Sequence, residues 1–120
     1  MNTVSHAELA AGRWQKLSLL EQMANIGSEV GRAILSREKG MESRAEGAAC
    51  RALELFDFSL GDPKLRGRLR EIARAREVFA DFFFGENTFG STGESLQKYF
   101  TDFAIATRKS TRELFINKEI

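Results

Sequence analysis

One histidine, one cysteine and one proline among 120 residues exclude several kinds of protein at once. His6 stands alone near the amino end, in a segment expected to fray, so an imidazole base beside a nucleophile has almost no material here. Cys50 has no partner for an internal disulfide, which fits a reducing compartment, and beside Ala49 it is expected to be a small buried or half-buried residue. The Glu-x-x-His pairs of metal-holding bundles are missing. Gly85, Gly90 and Gly93 lack the following lysine and preceding strand of a phosphate loop and read as turn glycines. No apolar run nears the ~18 residues of a membrane span, and the amino end carries no signal-peptide core. A cytoplasmic, non-enzymatic protein is therefore expected, with no catalytic residue, metal, cofactor, membrane contact or small-molecule substrate. Charge of one sign is also scarce: 18 basic residues face 17 acidic ones, and a net charge of +1 gathers neither nucleic acid nor membrane.

What the chain does hold is helical periodicity. A content of 42% apolar and 29% charged residues is that of a folded soluble domain. A chain of this length buries roughly two-thirds of its unfolded surface around one core. Ser18-Leu19-Leu20-Glu21 fits a capping box, after which Leu20, Met23, Gly27, Val30 and Ile34 share a face. A break at 37–40 precedes a second stripe through Met41, Ala45, Ala48, Ala49, Ala52, Leu53, Phe56 and Leu60. Its alanine half predicts close helix approach. Gly61-Asp62-Pro63 reads as a left-handed glycine stop, an aspartate cap and a proline start. The third stripe follows with Leu65, Leu69, Ile72, Phe79 and Phe83 and ends near Gly85. After the loop at 85–92, Ser91-Thr92-Gly93-Glu94 offers a second capping box, and Leu96, Phe100, Phe103, Thr107 and Leu114 align behind it. Arg108, Lys109 and Arg112 near its end suit the helix dipole. The expectation is an all-α, antiparallel up-down-up-down four-helix bundle over 17–116, with a partly flexible segment at 1–16 and a tail at 117–120.

Three groups on these helices are candidates for function. At about 100° per residue, Arg66, Arg70 and Arg74 form a stripe facing away from the core, able to contact phosphates. The plainer reading is a solvated helix face. Arg76 falls within the apolar face between Ile72 and Phe79 and needs a carboxylate, expected to be Glu29 or Glu46, as an ion pair that fixes register. Seven of the ten phenylalanines lie between 79 and 103, more than one face can bury. Phe58, Phe82, Phe84 and Phe89 are therefore expected at an oligomer interface, unless the 85–92 loop and the segment with Trp14 cover them.

Three phrases carry a family resemblance: Leu19-Leu20-Glu21-Gln22-Met23-Ala24-Asn25-Ile26-Gly27-Ser28-Glu29-Val30, Arg74-Ala75-Arg76-Glu77-Val78 and Ser95-Leu96-Gln97-Lys98-Tyr99-Phe100. Over about 14–108 the chain resembles the four-helix ribosomal-RNA intervening-sequence proteins and the accessory proteins of diversity-generating retroelements. The resemblance implies a non-enzymatic bundle that assembles into a homo-oligomeric ring, commonly a pentamer, and acts as a scaffold. In the retroelement branch it implies a basic ring that works with a reverse transcriptase and nucleic acid. The net charge of +1 departs from that basic pattern. Helical nucleases of toxin systems carry an arginine followed closely by histidine, whereas His6 precedes every arginine here.

Overall fold

Ser18 starts a helix of 20 residues by closing a reciprocal cap. Its hydroxyl accepts the Glu21 N–H at 3.2 Å, and the Glu21 carboxylate accepts the Ser18 N–H at 3.0 Å. That backbone hydrogen bond holds the Glu21 carboxyl below its usual range. The computed structural model describes residues 6–103 and 105, with side chains from residue 10 onward. They form α1 (His6–Trp14), α2 (Leu19–Glu38), α3 (Glu42–Leu60), a 3-10 segment (Pro63–Arg68), α4 (Leu69–Phe84) and α5, helical over 93–103. Among the described residues there is no strand, and no helix is long and apolar enough to cross a membrane. Thr107, Arg108, Lys109, Arg112 and Leu114 lie outside the described residues.

Gly40, at φ +75°, ends α2 in a left-handed turn. The Gly40 N–H bonds the Arg37 carbonyl and the Met41 N–H bonds the Ser36 carbonyl, the paired bonds of a Schellman stop. Gly61 does otherwise. Its φ is −87°, so the expected left-handed stop is absent there. Pro63 instead forces the residue before it into extended geometry, and the chain turns at Asp62, whose carboxylate accepts the Lys64 N–H at 3.1 Å. Pro63 then opens a 3-10 segment rather than an α-helix, and α4 begins only at Leu69. The second cap is also displaced by one residue. Thr92, not Ser91, accepts the Ser95 N–H at 2.9 Å, and Ser95 Oγ returns the bond to the Thr92 N–H at 3.0 Å.

The core gathers most of the expected stripes, but Met41, which precedes the first turn of α3, is 43% exposed and stands outside it. Phe56 from α3 meets Phe79 from α4 and Phe100 from α5, with ring centroids 6.5 and 6.1 Å apart. Each such ring, once buried, contributes roughly 1.5–3 kcal/mol. Ala45, Ala48, Ala49 and Ala52 are buried where α3 lies against α2. Cys50, one position off that row, is exposed, contrary to the burial expected beside Ala49. Small residues also bring α2 and α5 together, since a Cβ on Gly27 would sit 2.5 Å from Phe100 Cβ.

A polar clasp closes one end of this core. Gln22, fully buried, accepts from Ser59 Oγ at 2.6 Å and donates to Asp62 Oδ2 at 2.9 Å and the Leu17 carbonyl at 3.0 Å. Trp14 Nε1 donates to Ser59 Oγ at 2.9 Å, which ties the carboxyl end of α1 to α3. Lys64 Nζ reaches Asp62 at 2.6 Å and also the Gln15 carbonyl. Burial opposes ionisation of Asp62, but the hydrogen bonds from Lys64 and Gln22 outweigh it and hold the carboxyl below the usual carboxylate range.

Two glycines on α2 should respond oppositely to alanine. At Gly31 no atom lies within 4 Å of the added Cβ, so Gly31→Ala should raise stability by about 0.5–1 kcal/mol through helix propensity alone. At Gly27 the clash falls on the rigid base of Phe100, and overpacking of roughly 1–3 kcal/mol exceeds that gain. Urea unfolding followed by circular dichroism should therefore move the two midpoints in opposite directions. Acid should expose the clasp. A carboxyl lowered by folding stabilises above its unfolded pKa of about 3.9 and stops doing so as pH falls through its folded value. The urea midpoint should drop below about pH 4, and Asp62→Asn should start lower and fall less steeply over that range.

Candidate interaction face

Asp81, near the end of α4, shapes the loop that follows. Its carboxylate accepts the N–H groups of Thr88 and Phe89 at 2.9 and 3.0 Å, and those two backbone bonds, Phe89 first, hold its carboxyl low. Asn87 and Gly90 take left-handed geometry at φ +56° and +66°. The Asn87 side chain bonds both backbone groups of Ser91, at 2.8 and 2.9 Å. These bonds brace the loop, which presents Phe89 outward, 40% exposed. Arg74 from α4 lies over the Phe89 ring, 4.5 Å from its centroid.

From Arg74 the surface continues into a cavity of about 280 Å³ between α4 and α5, lined by Ala75, Val78, Leu96, Tyr99 and Phe100 with Glu71, Ser91 and Ser95 at its polar edge. Tyr99 packs edge-on to Phe100 and Phe103, at 5.1 and 5.3 Å. Burial, with the Glu71 charge added and Arg68 opposing, pushes its phenol above the ordinary value, so the hydroxyl stays a neutral donor. On its other side Tyr99 borders a second apolar cleft of about 260 Å³ with Leu20, Asp102 and Phe103.

The four phenylalanines expected at an interface divide. Phe84 is 49% exposed, edge-on to Phe83, and Phe89 stands out on the loop. Phe82 packs half-buried against the core, and Phe58 is also half-buried. Tyr99, the one tyrosine, has no sequence signal of its own beyond its place beside Phe100 on the same helix.

The arginines divide as well. Arg66, Arg70 and Arg74 are all exposed, but Arg66 sits on the 3-10 segment, where 100° spacing does not apply, leaving Arg70 and Arg74 as the helical pair. Arg76 meets Asp57 at 2.8 Å, not Glu29 or Glu46. The partner belongs to α3, as expected of one of the two neighbouring helices, but the level is wrong. The 3-10 segment consumes six residues at the turn, so α4 starts later and Arg76 meets α3 nearer its carboxyl end. Glu29 binds Arg32 and Arg51 instead, at 2.6 and 3.2 Å. Among the described residues no group of three or more histidine, cysteine or acidic side chains could hold a metal ion. No family model, curated protein or solved structure matches this chain.

Asp81→Ala removes the acceptor for two loop N–H groups without touching the core. Amide exchange at Thr88 and Phe89 should accelerate by about tenfold or more while the α2 and α3 amides keep their protection.

Proposed function

We propose that this chain is a non-enzymatic interaction module, an up-down-up-down four-helix bundle that self-associates through its α4–α5 side. Opposed pairings support the topology: Gln22 with Ser59 but Glu29 with Arg51, and Gly27 with Phe100 but Ile34 with Gly93. The observation that carries the function is one continuous surface from Phe89 through Arg74 and the cavity to Tyr99 and the Leu20–Phe103 cleft. Aromatic and arginine side chains are the groups that anchor protein interfaces, and apolar surface of this kind is covered by association. A ring-shaped, cytosolic homo-oligomer of the kind built by the intervening-sequence and retroelement accessory proteins is the assembly this reading favours, with five subunits as its starting hypothesis.

A second reading has its own support. Arg66 and Arg70 are exposed and make no ion pair among the described residues, which suits an accessory surface for nucleic acid phosphates. Such binding would weaken steeply with added salt.

Light scattering on the eluting protein at micromolar concentration tests the first reading. An assembly is expected, and Phe89→Ser with Tyr99→Ser should dissociate it while the helical circular-dichroism signal persists. A monomeric parent chain, or an assembly indifferent to both substitutions, overturns the proposal.

A further inference from the structure

A cavity of about 550 Å³ lies away from that face, at the corner where Gly40 turns α2 into α3. Four cations line it: Arg32 and Lys39 with α2, Arg44 and Arg51 with α3. Each pair is seven residues apart, two helical turns, which brings both members onto the same side of their helix. Ser36 and Ser43 add hydroxyls, and no carboxylate is among the lining residues. Glu38, Glu42 and Glu46 stand on or beside the same helices but do not line it.

Glu29 does not line the cavity, but its side chain, 14% exposed, bridges the guanidiniums of Arg32 and Arg51, which do. Those two cations are thereby held in place at the cavity, while Lys39 and Arg44 make no ion pair among the described residues. Counting Glu29 against the four, an excess of three positive charges faces a single concave space. Converging like charges in a recess repel one another and are relieved by an anion, whose field lines the low-dielectric walls focus. Leu35, 50% exposed, and Met41, 43% exposed, add apolar wall beside the cations.

We infer that this α2–α3 cavity binds a compact anion carrying two or more phosphoryl groups. Its volume is that of small-ligand sites, roughly 300–1,000 Å³. Guanidiniums offer forked donors to phosphate oxygens, and the two serines can donate to those that remain. A nucleic acid strand would need cations continuing along a track, whereas these converge on one recess.

Titration calorimetry with inorganic tripolyphosphate at physiological salt tests the inference. Saturable binding of one anion per chain is expected. Lys39→Glu with Arg44→Glu should weaken it by about tenfold or more, since each of the two substitutions replaces an attraction by a repulsion. Arg66→Glu with Arg70→Glu makes the same change in net charge elsewhere and should alter affinity by less than about twofold. Gly47→Glu places a carboxylate in the cavity from a position whose Cβ meets only Arg51 Nη1, at an ordinary 3.5 Å, and should also abolish binding in a chain that still folds. Absence of saturable binding, or equal losses in the two double variants, overturns the inference. So does tighter binding of an oligothymidylate through these same residues, which would make the cavity part of a nucleic acid surface.

Discussion

Gln22 is the pivot of this helical fold. An amide side chain with no solvent exposure is costly unless each of its polar atoms is matched, and here Ser59, Asp62 and two main-chain carbonyls match it. The match exists in one alignment of α2 against α3 only. A slip of one residue would strand the amide in the core, so a polar group fixes a register that alanines and phenylalanines would tolerate at several settings. Downstream, that alignment brings Glu29 level with Arg51 and places Arg32 and Arg44 on the wall of one cavity.

The helices were legible because burial imposes a period of 3.6, and Met23, Val30, Phe56, Phe79 and Phe100 are buried as their spacing requires. What escaped the reading has physical causes. Pro63 can open either a 3-10 or an α-helix, and the choice moved α4 along α3 and gave Arg76 to Asp57. Ser91, Thr92 and Ser95 are all capping residues, so composition alone could not say which hydroxyl would take the cap. Trp14 ties α1 to α3 through a long-range contact with no periodic signature. Gln22 could have been noticed, since it falls four residues before Ile26 on a face that is otherwise apolar.

Of the candidate site, the outward phenylalanines were half legible. Phe84 and Phe89 are exposed as their position outside the stripe implied, whereas Phe82 and Phe58 are partly covered by neighbouring chain. The α2–α3 cations left only the trace of two seven-residue spacings. Neither helix is basic by itself, and only folding brings Arg32 and Lys39 opposite Arg44 and Arg51. The aromatic face and the cationic recess share no residue, so covering one leaves the other open.

Trp14 is the chain's one indole, and its nitrogen is committed to a hydroxyl on α3. Its emission therefore reports on the seating of the first helix against α3. Release of that helix would redden the fluorescence while the remaining helices kept their ellipticity, so two optical signals of one molecule separate the docking of its leading segment from the integrity of its core.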